Sequence, residues 1–217
     1  MTGSGSEYLD PYREAVRDAG PRFESLLWKS PEAQRLRFDV IIDVCKLHGR
    51  VVADLGAGLG DLAVRMHERG VEYGRYIGVE GVPELADEGE KRLAAAGVPE
   101  CVWRTGDFVA DEDLFRAMVR NDGAEVFAFS GSLNTLSQPE AEMVLARAWE
   151  AVSRSQSGQL VFNFLSDRAR RKNESTGPAH RYDPARLVAW ALDRTPLVVL
   201  RHDYWGGHDA TVWMGVG

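Results

Sequence analysis

Residues 51–60 read VVADLGAGLG, and a second apolar run, RYIGVE, closes on Glu80 twenty positions after Gly60. Glycines this close together let the backbone approach a ligand that side chains would keep away. A later acid completes the kind of pairing that holds a nucleotide-like cofactor. Asp61, the residue after the glycines, decides which kind. The spacing is G-x-G-x-G, and Asp61 stands where a dinucleotide fingerprint wants its third glycine. An acid at a helix N-terminus is unfavourable where a pyrophosphate would sit. A zwitterionic amino-acid tail tolerates it. The loop therefore favours a nucleoside with an amino-acid tail over a dinucleotide.

Short β-rich runs alternate with helical segments from residue 50 onward, and these must position the loop. VVADL (51–55), RYIGVE (75–80), ECVWRT (100–105), EVFAFS (125–130) and QLVFNFL (159–165) read as strands. DLAVRMHERG, PELADEGEKRLAAAG and QPEAEMVLARAWEAVSR read as helices, with apolar positions at helical spacing. Such alternation predicts parallel strands joined by right-handed crossovers, a doubly wound α/β sheet. Near the end, PLVVLRHDYWGGHDATVWMGV has two strands around Gly206-Gly207 and no helix between them. This predicts a closing hairpin and an antiparallel last strand. Residues 1–48 read as an N-terminal helical cap, with Ser30 capping a helix that Gly49 ends. The whole chain, 1–217, reads as one domain with its core over 49–217. Ligands of such sheets bind beyond the carboxyl ends of the strands, beside the switch point, where Gly56, Gly58 and Gly60 lie.

Composition narrows the rest. The 217 residues carry a formal net charge of −7, which argues against a duplex-binding surface. Two cysteines, Cys45 and Cys101, give neither a disulfide framework nor zinc spacing. A reduced, cytoplasmic compartment is expected. The start, MTGSGSEYLD, lacks the pattern of a signal peptide, so Asn173 in NES is expected to be a chance match to a glycosylation acceptor. No apolar run approaches eighteen residues, so no membrane association is expected. His202, Asp203, Tyr204 and His208 cluster near the hairpin turn, in a spacing that suits two strand ends better than a metal-ligand frame.

Taken in order, these segments resemble the class I S-adenosylmethionine-dependent methyltransferases over roughly residues 35–217. The match rests on DLGAGLGDL (54–62), YIGVEGVPEL (76–85), TGDFV (105–109), EVFAFSGSLNT (125–135), QLVFNF and the terminal hairpin. The resemblance implies a seven-stranded sheet and S-adenosylmethionine as cofactor. It implies that Asp54 orients the loop and helps bind the methionine ammonium, with Gly56, Ala57, Gly58 and Gly60 under the cofactor. Glu80 would accept both ribose hydroxyls, and Gly81 and Val82 would flank the adenine. Asp107 would bond the adenine amino group, Phe108 would pack on the ring, and Ser130, Gly131 and Ser132 would face the methionine portion.

SGSLNT resembles neither the Asn/Asp-Pro-Pro-aromatic signature of enzymes acting on base amines nor the Pro-Cys context of base-carbon enzymes. A small, acidic or aromatic acceptor is therefore expected, with no nucleic-acid partner. Within the cap, Trp28, Gln34, Arg37 and Phe38 form a mixed set near the entrance. Arg37 is the candidate for the methionine carboxylate, because a guanidinium matches a carboxylate fork. SDRARRKNESTGPAHRYD (166–183) carries Arg168, Arg170, Arg171, Lys172 and Arg181, and reads as a loop able to recruit an anionic acceptor. Asn134, His180 and Tyr182 are the acceptor-side candidates. An RNA or protein methyltransferase, a silent cofactor-binding module and a nicotinamide oxidoreductase remain the alternatives.

Overall fold

A computed structural model of the chain describes residues 6–170 and 177–217. After a 3-10 turn at Glu7–Leu9 come α1 (Asp10–Ala19), a second turn at Phe23–Leu26 and α2 (Pro31–Val44). β1 (Val51–Leu55), α3 (Asp61–Glu68), β2 (Arg75–Glu80), α4 (Pro83–Ala95) and β3 (Cys101–Thr105) follow. Next are α5 (Leu114–Ala117), continued by a π-turn, then β4 (Val126–Ser130), α6 (Gln138–Val152) and β5 (Gln159–Ser166). The last are β6 (Arg181–Tyr182), α7 (Pro184–Leu192), β7 (Val198–Arg201) and β8 (Asp209–Gly215).

The strands form one sheet in the order β3-β2-β1-β4-β5-β8-β7. β1 to β5 pair in parallel, whereas β8 runs antiparallel to both β5 and β7. The seven expected strands are present, and two-residue β6 adds a short parallel pairing to β5. The chain steps outward from β1 through β2 to β3, then returns to the other side of β1 as β4. That reversal is the switch point.

Successive strand residues send their side chains to opposite faces. On one face Val52, Tyr76, Val126, Val161 and Trp213 meet Phe38 and Ile41 of α2 and Leu62 and Met66 of α3. On the other, Phe127, Phe129, Leu160 and Val212 meet Phe115 of α5, Val144 and Leu145 of α6 and Leu187 of α7. Burying each such large side chain contributes about 1.5–3 kcal/mol, so the layers hold the strand tips firmly.

Two expectations are corrected. Ser30 caps α2 as expected, its Oγ accepting from Ala33 N at 3.2 Å. The helix nevertheless ends at Val44, not Gly49. Buried Gln159 captures both backbone groups of Lys46 at 2.8 Å, holding that stretch against β5. Nor is α2 a separate cap, because it fills the layer beside α3. The covering role falls to α1 and the Phe23–Leu26 turn, whose Val16 and Leu26 pack on Leu59, Val82 and Leu85. The Gly206-Gly207 turn joins β7 and β8 as expected, through a short 3-10 turn. No helix among the described residues is long and apolar enough to cross a membrane.

Candidate cofactor and acceptor site

A cavity of about 1050 Å³, counted out to its open mouth, lies at the carboxyl ends of β1, β2, β3 and β4. Its floor is the loop after β1. Gly56 and Gly58 have φ of +77° and +57°. A Cβ on Gly56 would come within 2.4 Å of Ser132 Cβ, and one on Gly58 within 2.8 Å of Leu26 Cδ2. Only glycine suits these two positions, which keeps bare backbone against the cavity. Gly60 starts α3, its N–H bonded to Ala57 O, and is not a cavity residue.

Two buried acids flank this loop. Glu80 at the end of β2 accepts the Gly58 and Val82 N–H groups at 2.8 and 2.9 Å, one on each carboxylate oxygen. Val82 itself stays behind the wall, while Gly81 lines it. A carboxylate has about four lone-pair sites, so Glu80 retains room for further donors. Asp54 is 2% exposed, and its Oδ2 accepts the Tyr76 hydroxyl at 2.7 Å. Its Oδ1 is buried with no partner among the described residues. Burial raises the Asp54 carboxyl to about pH 7, with Glu80 and Asp61 adding to the rise. Glu80 is also raised by burial, against its backbone N–H donors. Asp61 is held at the head of α3 by Gln34 Nε2 at 3.1 Å and Arg92 at 2.9 Å.

Asp107 and Phe108, just past β3, line the far end. Phe108 meets Phe129 edge-on at 5.4 Å, and Asp107 accepts from Tyr8 as well as from its own loop. Across the cavity, Ser130, Gly131 and Ser132 extend from β4. Asn163 of β5, 1% exposed, fixes this tip. Its Oδ1 accepts Gly131 N–H at 2.8 Å and its Nδ2 donates to Ser130 Oγ at 3.1 Å. Asn163→Ala should lose about 1–3 kcal/mol in urea unfolding, because the Gly131 N–H and the buried Ser130 hydroxyl both lose the partner that fixes them. An unchanged unfolding midpoint would count against that anchoring.

The Trp28 ring lies over Gly131, where a Cβ would approach it to 2.8 Å, and Trp28, Gln34 and Phe38 all line the cavity. Arg37 does not. It is 6% exposed, pairs with Asp209 of β8 at 2.5 Å and stacks 4.7 Å from the Trp28 ring centroid. Its expected role at the methionine carboxylate is corrected on position: the guanidinium lies behind Trp28, outside the cavity, with Nη2 on the buried Asp209 and Nη1 buried without a partner among the described residues.

Of the acceptor-side candidates, Asn134 lines the cavity, with its side-chain Oδ1 buried and unpartnered among the described residues. His180 does not line it. The ring is exposed, and only its backbone N–H reaches inward, to Asn134 O at 2.7 Å. Pro178 and Ala179 form that wall instead. Tyr182 is corrected too. It is buried, its hydroxyl donates to Leu133 O and Leu136 O, and burial pushes the phenol well up, so it offers no base to the cavity. Arg168 pairs with Asp167 and Asp183, and Arg181 donates to Ser166 O. No arginine or lysine lines the cavity among the described residues, and Arg171, Lys172 and the NES stretch lie outside them. The hairpin groups engage one another: His202 with Gly207 O, Asp203 with Arg201, Tyr204 with Thr211 and His208 with Asp209.

Neither a family model nor a curated protein matches this sequence. Solved structures do. A SAM-dependent methyltransferase from Aquifex aeolicus is 14% identical, with 87% of this chain and 94% of that one covered at a TM-score of 0.61. An O-methyltransferase family protein from Burkholderia thailandensis is 15% identical, with coverage of 100% and 74% and a TM-score of 0.64. Haemonchus contortus phosphoethanolamine N-methyltransferase 1, solved with phosphoethanolamine and S-adenosylhomocysteine, is 13% identical. Its match covers 98% of this chain and 50% of that one, at a TM-score of 0.70. The fold is that of the class I methyltransferases.

On this methyltransferase fold, most of the cofactor-side residues read from the sequence gather at one cavity: Asp54, Gly56–Gly58, Glu80, Gly81, Asp107, Phe108 and Ser130–Ser132. Arg37, Gly60 and Val82 stand behind it. Sequence reasoning missed Asn163 and the N-terminal Tyr8 and Tyr12, both cavity residues. The tyrosines carried a signal, two aromatics four apart in the polar stretch EYLDPYRE, one face of an incipient helix.

Proposed function

We propose that this protein transfers the methyl group of S-adenosylmethionine to a small aromatic acceptor. The observation that carries the reading is Asp54. Its buried Oδ1 lacks a partner among the described residues at the head of the bare glycine floor, and Glu80 stands beside it with spare lone pairs. An ammonium completes such a carboxylate, and a pair of hydroxyls suits Glu80. These donor sets fit an adenosyl amino acid better than a dinucleotide.

When bound, S-adenosylmethionine supplies an electrophilic methyl group for in-line displacement. In this chain Asp54 holds the ammonium, Glu80 orients the ribose and Asp107 receives the adenine amino group, with Phe108 against the ring. Ser130, Gly131 and Ser132, fixed by Asn163, present the methionine side of the wall. Positioning and exclusion of water dominate such a transfer, and Trp28, Leu27 and Pro178 supply apolar cover. Asn134 Oδ1 accepts a hydrogen bond and so orients an O–H or N–H nucleophile, whose proton is lost to water at the open mouth of the cavity as the new bond to the methyl carbon forms and the carbon–sulfur bond breaks. Carboxylates already line the cavity and no described cation does, which favours an aromatic over an acidic acceptor. The free cysteines Cys45 and Cys101 support a reducing compartment.

The test is label transfer from methyl-labelled S-adenosylmethionine to a panel of phenols, aromatic amines, aromatic and aliphatic acids, RNA and protein. Labelled phenols or amines are expected. Label carried only by carboxylates would reject the acceptor class, and label carried only by RNA or protein would reject the small-molecule reading.

A further inference from the structure

Asp107, assigned above to the adenine amino group, has a carboxylate that this chain already fills. Oδ1 accepts the N–H groups of Val109 and Ala110, both at 3.0 Å. The Tyr8 hydroxyl lies across both oxygens at 2.7 and 2.6 Å, and Ser6 Oγ reaches Oδ2 at 3.2 Å. A carboxylate offers about four lone-pair sites. Three donors and a hydroxyl shared between both oxygens take them up, leaving none for an adenine N–H. The two backbone donors belong to the same loop and are permanent. Ser6 and Tyr8 come from the other end of the chain.

Their segment covers the same part of the cavity in other ways. Leu9 packs on Gly81, where a Cβ would come within 3.0 Å of its Cδ1. Tyr12, one helical turn further on, is half-buried, and the Glu80 charge lies close enough to act on its phenol. Tyr8, Leu9 and Tyr12 all line the cavity. The residues expected to read the adenine and the ribose are thus both faced by one strap.

We propose that residues 6–12 gate the cofactor site, with Tyr8 holding Asp107 in the closed state and yielding it to the incoming adenine amino group. The inference rests on the cofactor reading above. Binding exchanges one hydrogen bond to the carboxylate for another: the Tyr8 O–H leaves Asp107 and an adenine N–H takes its place. Only the open fraction of molecules is competent, so the apparent Kd is the intrinsic Kd divided by that fraction. Tyr8→Phe keeps the ring and removes the latch.

The experiment is calorimetric and stopped-flow titration of S-adenosylhomocysteine into wild type, Tyr8→Phe, Asp107→Asn and the double variant. Tyr8→Phe should bind about tenfold more tightly, mostly through faster association, given the strength of a hydrogen bond to a charged group. Asp107→Asn should bind more weakly than wild type, and Tyr8→Phe should add nothing on that background. Equal or weaker binding by Tyr8→Phe, with wild type binding normally, would overturn the gate and leave the cofactor reading standing. A gain that persists without the Asp107 carboxylate would overturn it as well. Failure of all four proteins to bind would overturn the cofactor reading, and the gate with it.

Discussion

Asp54→Asn is expected to bind S-adenosylmethionine about 10- to 150-fold more weakly than wild type, and at pH 8 to be the more stable protein. The affinity loss follows from a hydrogen bond to a charged group, worth about 1.5–3 kcal/mol. Asparagine can still accept the Tyr76 hydroxyl, but then aims an N–H, not a lone pair, at the ligand's ammonium. The stability gain has the opposite origin. In the folded chain the Asp54 carboxyl is raised to about 7, against about 3.9 for an unfolded aspartate. Between those values the native state holds more protons than the unfolded state, so stability falls as pH rises from about 4 to 7. Above pH 7 the penalty is fully present, and removing the charge should return on the order of 2–4 kcal/mol. The stability difference should vanish near pH 4. Ligand binding to wild type needs the ionised form, so affinity should fall about tenfold per pH unit below 7, whereas the variant should show no such slope. Urea unfolding and calorimetry over this pH range check both halves. A variant no more stable than wild type at pH 8 would mean that the charge is better compensated than its missing partner indicates.

Arg37→Ala should lose about 3–5 kcal/mol of stability, the cost of leaving a buried charge unpaired. Among the described residues the Asp209 carboxylate is left with one further polar partner, His208 Nδ1 at 3.3 Å. Removing both partners in Arg37→Ala/Asp209→Ala should recover a large part of the loss, since no orphaned charge then remains. Cofactor affinity of the folded Arg37→Ala protein should change little, because Trp28 and not Arg37 faces the cavity. A tenfold affinity loss with unchanged stability would contradict this and return the guanidinium to the methionine carboxylate.

The misplacement of Arg37 shows where sequence reading stopped. Its guanidinium was matched to a ligand on the strength of its position in a helix near the glycine loop, but its partner lies 172 residues away. Tyr8 and Asp107 are separated by 99 residues, and Asn163 reaches back 32 to Gly131. Nothing in local spacing announces such pairs. The glycine floor was legible because its demands are local, a positive φ and no Cβ, and Glu80 because strand length and crossover length fix where a strand ends. The parallel core followed from the alternation of strands and helices, and the antiparallel last strand from its interruption at Gly206-Gly207. The end of α2 failed for the opposite reason: Gly49 is a good local stop, but Gln159 on a distant strand takes hold of Lys46 first. Tyr182 misled by position alone. Near the end of a substrate-side loop it looked like a base, yet the packing turns its hydroxyl onto two backbone carbonyls.

Calorimetric titration of the wild-type protein at pH 8 with S-adenosylmethionine, S-adenosylhomocysteine and NADH addresses the cofactor assignment most directly. Saturable one-to-one binding of both sulfur compounds, with no heat from NADH, is the expected result. Binding of NADH alone, or of none of the three, would contradict the assignment of Asp54 and Glu80 to an adenosyl amino acid and remove the basis for methyl transfer at this cavity.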